Sequence, residues 1–238
     1  MQRFVLGLGL TCIAAACGGD SSSPDAAFAC LGAALPTTAP ASITIGGQVL
    51  GNALAPTALA GAEVLGLRTD IDTLDRDTST TPGFYSLTFA TGGTPVSGFL
   101  RVTKSGHLPT YAYPARPIAA NDTTNVLAIT SLEFGILGTA VGESQQAGNG
   151  FIGVVVRDCT GTPLANATVQ TNPAGTAKYN AAGAPSSTAT VTAADGVAYV
   201  FNVAAGTVTV MATANGHTLR QHAVNARADV ITLTEIQP

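Results

Sequence analysis

The run Thr207-Val208-Thr209-Val210-Met211-Ala212-Thr213 alternates polar and apolar side chains along its length. Successive side chains of an extended strand point to opposite faces, so this run buries one face and wets the other only as a β-strand. Similar runs recur down the chain, bounded by turn residues: Ala194-Asp195-Gly196 before Val197 to Val203, Ala205-Gly206 before the alternating run, and Asn215-Gly216-His217 after it. Among 238 residues there are 27 Gly and 13 Pro, and only 10% are charged. Long helices need rows of Leu, Glu, Lys and Arg; β-branched residues punctuated by Gly and Pro suit short strands and tight turns. An all-β chain is therefore expected.

The pattern occurs twice, on either side of a stretch, 142–150, that has no hydrophobic period. In the second copy Phe151 to Val156 opens, Asp158 to Pro163 turns, Leu164 to Val169 follows, and Val230-Ile231-Thr232-Leu233 closes. In the first, Ile43 to Leu50 opens and Leu59 to Val64 answers Leu164 to Val169. Thr81-Pro82-Gly83 and Phe84-Tyr85-Ser86-Leu87 answer the Asp195-Gly196 turn and its strand. Phe99 to Thr103 precedes Ser105-Gly106-His107 as Val210 to Thr213 precedes Asn215-Gly216-His217. The repeat predicts tandem β-sandwiches over residues 43–128 and 150–238, joined by 129–149. Within the joint, Thr130-Ser131-Leu132-Glu133 has capping-box spacing, Phe134, Ile136, Leu137 and Ala140 follow, and Gly142 can end the turn. A short amphipathic helix is expected there, and then an exposed connection over 143–150.

These residues resemble the carboxypeptidase regulatory-like domains of the transthyretin-like, or prealbumin-like, β-sandwich family. Gly161, Pro163, Leu164, Ala167, Val169, Asp195, Gly196, Gly206 and Gly216 carry the resemblance in the second copy, and Gly61, Ala62, Val64, Gly83 and Gly106 in the first. The first copy lacks the G-x-P-L turn and has a longer acidic loop. The resemblance spans roughly 43–125 and 150–236 and implies two transthyretin-like/Ig-like sandwiches; a fold of this kind does not by itself give a function.

Residues 1–16 read as an export signal, with Arg3 before the apolar run Phe4 to Ile13. That run is shorter than the about 20 residues a bilayer span needs. Ala14-Ala15-Ala16-Cys17 resembles the lipobox of bacterial lipoproteins, which implies cleavage before Cys17 and lipid on its thiol and α-amine. An ordinary cleavable signal would end at the same small residues. Each buried CH₂ contributes about 0.8 kcal/mol, so two or three acyl chains hold a domain to a membrane where one does not. Residues 17–42 would form the tether, opening on the polar stretch Gly18 to Asp25. Gly18, rather than Asp, after Cys17 implies the outer membrane, on its periplasmic or surface face. Cys12 leaves with the leader, so Cys30 and Cys159 remain. In an oxidising compartment an even remainder suggests a disulfide, worth at most about 4–5 kcal/mol for a loop of this size; two free thiols are the alternative.

Net charge is −4, which gives nucleic acid no electrostatic reason to bind. No nucleophile elbow, metalloprotease motif or phosphate loop is found, so neither enzymatic activity nor a cofactor is expected. His107 and His217 occupy matching turns and read as caps over the sandwich ends, with His222 on a solvated face. Asp70, Asp72, Asp75 and Asp77 form an acidic loop that lacks the spacing of a calcium loop. It reads as solvated, and no metal site is expected. Tyr111 and Tyr113 could stack on a sugar, or simply pack an edge strand. The resulting expectation is a non-enzymatic cell-envelope lipoprotein, bound to a membrane through Cys17. It would display two sandwiches for structural or protein-interaction roles, with an envelope protein or a glycan as partner; a carbohydrate-binding surface lipoprotein is the alternative. Cys17→Ser should move the protein out of the membrane fraction and leave the leader uncut by the lipoprotein route, which fractionation and intact mass will check.

Overall fold

The computed structural model describes residues 26–53 and 55–238, so the leader, Cys17 and the tether as far as residue 25 lie outside the described residues. After a short 3-10 turn at Ala26–Phe28 the first half runs β1 (Ser42–Gly51), β2 (Thr57–Ala58), β3 (Glu63–Thr69), β4 (Asp72–Thr78), β5 (Phe84–Ala90), β6 (Phe99–Thr103), β7 (Thr110–Tyr113), β8 (Asp122–Thr123) and β9 (Val126–Leu127). Helix α1 (Ser131–Val141) follows. The second half runs β10 (Asn149–Val156), β11 (Ala167–Asn172), β12 (Thr176–Ala181), β13 (Ala184–Ser186), β14 (Val197–Ala204), β15 (Gly206–Ala214), β16 (His217–Thr218), β17 (His222–Ala226) and β18 (Ile231–Ile236). The architecture is all-β with one short helix, as the alternation requires. In β5, for example, Tyr85, Leu87 and Phe89 are buried between exposed neighbours.

The two copies pair their strands alike. β1 pairs antiparallel with β5, as β10 does with β14. β6 lies between β3 and β7, as β15 does between β11 and β17. β8 and β9 run parallel to β1, as β18 runs parallel to β10. The likeness extends to single atoms. The buried Ser79 hydroxyl accepts from Ala62 N (2.9 Å) and donates to Leu59 O (2.7 Å). The buried Thr192 hydroxyl accepts from Ala167 N (2.9 Å) and donates to Leu164 O (2.7 Å). Each strand-opening turn needs glycine for the same reason: Gly83 and Gly196 have φ of 87° and 67°. A Cβ there would also strike the carbonyl of Val49 or Val156.

What differs is which layer each copy shares. One nine-stranded sheet runs through both halves in the order β13-β12-β14-β10-β18-β7-β6-β3-β4. The first copy contributes its β3–β6–β7 layer and the second its β10–β14 layer. The remaining layers are the five-stranded sheet around β1 and the four-stranded sheet around β15. They cover opposite faces of the long sheet. On one face Val64, Leu100 and Val102 pack with Ile43, Ile45, Val49 and Leu87 of the β1 sheet. On the other, Ile152, Val154, Val200 and Ile236 pack with Val208 and Val210 of the β15 sheet. The junction is β18, parallel to both β10 and β7. Leu233 packs with the first core and Ile236 with the second.

Helix α1 covers the first-named face where it passes over the second half, with Phe134 and Leu137 packed on Phe151, Phe201 and Ile231. Its ends are those the sequence predicts. Thr130 Oγ1 accepts from Glu133 N, Glu133 Oε2 accepts from Thr130 N (2.7 Å), and Gly142 closes the helix in the left-handed region. The expected amphipathicity is absent, because Leu132 and Ile136 lie on the solvent side, 75% and 50% exposed. The following connection is exposed over 146–148, and it is also tied down. Asn202 Oδ1 accepts from Gln146 N (2.7 Å), and its Nδ2 donates to Ser144 O (2.9 Å) and Glu143 Oε1 (3.1 Å). Those bonds replace the apolar anchors that the sequence lacks there.

Thr232 is fully buried in the middle of β18, and proline there would delete one ladder bond to β10 or β7 at a position where sheets do not tolerate it. Thr232→Pro should therefore speed amide hydrogen exchange in β6 and β7 as well as in β10 and β14; faster exchange confined to the second half would show that the halves are stable separately.

Candidate functional site

Three groups of side chains have chemistry beyond packing. The first fixes the start of the described chain to the second half. The Asp158 to Pro163 turn is held by the Asp158 carboxylate, which accepts from Thr160 N (2.8 Å), Thr160 Oγ1 (2.7 Å) and Thr162 N (2.9 Å). Slight burial opposes ionisation, but these hydrogen bonds outweigh it and hold the carboxyl below its ordinary pKa. On this turn Cys159 forms a disulfide with Cys30, Cα to Cα 5.6 Å, across a sequence separation of 129. Cys159 N also donates to Ala27 O (2.9 Å). Buried Phe28 stacks on His217 at 4.3 Å between centroids. His217 thus caps the second sandwich with an N-terminal aromatic as its lid. His107, its counterpart, has its ring Nδ1 3.2 Å from Ser105 O.

His222 is not on a solvated face. It is half-buried, its Nε2 is 2.7 Å from Thr234 Oγ1, and its Nδ1 is buried without a partner among the described residues. Burial lowers its pKa. The cause is that the central strand β18 carries Thr234 beside it, which the spacing of the sequence could not reveal.

The second group is the acidic stretch, and most of it is a strand rather than a loop. Asp75 and Asp77 lie on β4, at the edge of the long sheet, beside β5 at the edge of the β1 sheet. Asp75 Oδ2 accepts from Thr88 N (2.6 Å) and Asp77 Oδ2 from Ser86 N (2.8 Å), both on β5. Their other oxygens accept from Arg76 N (2.8 Å) and Thr78 N (2.7 Å). Each carboxylate therefore stitches two sheet edges whose N–H groups would otherwise be open. Asp72 pairs with Arg68 (2.7 Å) and Asp70 with Arg227 (2.6 Å). Among the described residues no group of three or more His, Cys, Asp or Glu is gathered to hold a metal.

The third group contains the two tyrosines. Phe99, Tyr111 and Tyr113 lie on the face of β6 and β7 opposite the first core, together with Leu65 and Leu67. Phe99 stacks on Tyr113 at 4.8 Å. Arg227, just beyond β17, reaches over them from the second half. Its guanidinium lies 4.0 Å from the Tyr111 centroid and 5.4 Å from that of Phe99. Nη1 donates to Tyr113 Oη (2.9 Å) and Nη2 to Asp70 Oδ1 (2.6 Å). Burial raises the Tyr113 pKa against the pull of Arg227. The Tyr111 face that would stack on a sugar is covered by a cation, an arrangement worth about 0.5–2 kcal/mol. The tyrosines form a clamp between the halves. Arg227 was invisible to sequence reasoning, since nothing near it hints at a partner more than 100 residues away.

No known protein family model matches the chain, and no curated protein matches it. Solved structures do. The Bacillus anthracis TIE protein aligns over 83% of this chain and 34% of its own, at 9% identity and TM-score 0.29. This chain thus spans about a third of that protein. The shaft pilin SpaA of Lactobacillus rhamnosus GG aligns over 83% of this chain and 98% of its own, at 11% identity and TM-score 0.25. The Streptococcal ancillary pilin aligns over 83% and 62%, at 10% identity and TM-score 0.25.

The stitched edges lead to a direct test. Asp75→Ala and Asp77→Ala should each cost about 1 kcal/mol, since each removes acceptors from strand N–H groups that water can partly replace. Adding Ca²⁺ should leave the melting temperature of the parent protein unchanged; calorimetry reads both.

Proposed function

We propose that this chain is a non-enzymatic lipoprotein of the bacterial cell envelope, anchored by lipid on Cys17, that holds a fused double sandwich away from the membrane as a structural or protein-interaction module. The observation that carries the reading is the Cys30–Cys159 disulfide. A disulfide belongs to an exported protein. This one joins Cys30, within the 17–42 tether and beyond its polar opening, to a turn of the second sandwich, so the module is held at its base by a covalent bond. The leader, the lipobox cysteine and the Gly18 to Asp25 tether agree with that placement, and Gly18 favours the outer membrane. The paired turns, with Gly161, Pro163 and Leu164 in the second copy, favour kinship with carboxypeptidase regulatory-like domains.

An interaction role needs a surface that pays for contact with buried apolar area. Ile71 at the β3–β4 hairpin tip is 96% exposed, Phe84 52% and Leu132 75%. The test is photo-cross-linking in intact envelopes from a reactive side chain placed in turn at these positions. A discrete cross-linked product from one position, absent when Cys17→Ser removes the anchor, is the expected result; no product from any of the three overturns the interaction role.

A further inference from the structure

Helix α1 leaves a groove of about 450 Å³ along one side, between itself, the 143–149 connection and Asp229. Ligand pockets run from about 300 to 1,000 Å³, apolar with a few polar groups placed around them. The floor here is aromatic. Phe134 of α1 meets Phe151 of β10 edge-on at 4.9 Å and lies parallel to Phe201 of β14 at 6.0 Å. Phe151 and Phe201 are buried and Phe134 is half-buried. The rim is polar and unspent: the side chains of Ser144, Gln146, Asn149 and Asp229 line the groove, and no hydrogen bond or ion pair ties any of them to another described residue. No Lys or Arg lines it.

Gly135 supplies an independent observation. It sits within α1, where glycine is unfavourable relative to alanine. Packing does not require it, because an added Cβ would meet nothing within 4 Å. Gly138, one turn on, differs: a Cβ there would come 2.7 Å from Glu143 O. Gly135 lines the groove, so the side chain it lacks is space in the groove rather than in the core.

We propose that this groove binds an uncharged oligosaccharide, with the C–H face of one ring on Phe134 and its hydroxyls bonded to Gln146, Asn149 and Asp229. The chemistry selects this class. With no cation in the lining an anion would go uncompensated, while amides and a carboxylate offer the paired donors and acceptors that neighbouring hydroxyls need. An aromatic face, negative at its centre, suits the polarised C–H bonds of a sugar ring. The glycine leaves room for that ring beside the helix. The site is separate from the Tyr111–Tyr113 clamp, and it stands whether or not the module is lipid-anchored.

The test is saturation-transfer NMR and isothermal titration of the full-length protein with chitotetraose and maltotetraose. Saturable binding of at least one is expected. Gly135→Leu fills the groove and improves helix propensity, so it should weaken binding at least tenfold without lowering the melting temperature. Phe134→Ala should weaken binding as well, and an unchanged melting temperature for Gly135→Leu keeps its loss from being one of folding. No saturable binding of either sugar, or binding undiminished in Gly135→Leu, overturns the proposal.

Discussion

The structure depends on one strand having two parallel neighbours. β18 lies between β10 of its own copy and β7 of the other, and the long sheet exists only because that slot is filled. Parallel neighbours share no hairpin, so register here comes from side chains rather than from a turn. Its sequence meets that demand on both faces. Ile231 and Leu233 face the first core and the helix; Thr232, Thr234 and Ile236 face the other way. Thr234 also donates its hydroxyl to Tyr113 O (3.0 Å), which ties the strand to β7 by a side chain as well as by the ladder.

Around that strand the two copies are joined by whichever layers happen to meet. Each has the same pairings, yet opposite layers are fused, so the two outer sheets sit on opposite faces. This leaves part of the long sheet bare on each side. Helix α1 covers one bare patch with Phe134 and Leu137. The Arg227 guanidinium, with the Phe99–Tyr111–Tyr113 cluster beneath it, covers the other. The Arg227–Asp70 pair is half in water, the Asp70 side chain being 54% exposed, so its charge contributes little and the clamp rests mainly on ring contacts. Elsewhere, Asp75 and Asp77 close the seam between β4 and β5.

Much of this was legible in the sequence, for local reasons. Alternation marks strands; Thr130, Glu133 and Gly142 mark a helix; two leftover cysteines suggest a disulfide. The copies were legible because turn glycines such as Gly83 and Gly196 are forced by backbone geometry and so recur. Partnership was not legible. A period of two tells which side chains share a face, but not which sheet will cover that face, so the fusion through β18 left no trace. Asp75 and Asp77 read as solvated because Asp is a poor strand former, and here they serve a strand edge instead. Tyr111 and Tyr113 read as a platform because Arg227, which covers them, lies in the other half.

The position of β18 in the chain has a further consequence in time. It follows both of the strands it joins, β7 and β10, at a long distance in sequence. A chain that emerges from its N-terminus forward has both of those edges made, and open, before their common neighbour exists. The long sheet is therefore closed only once β18 has itself emerged. Until then two unpaired edges have to be guarded.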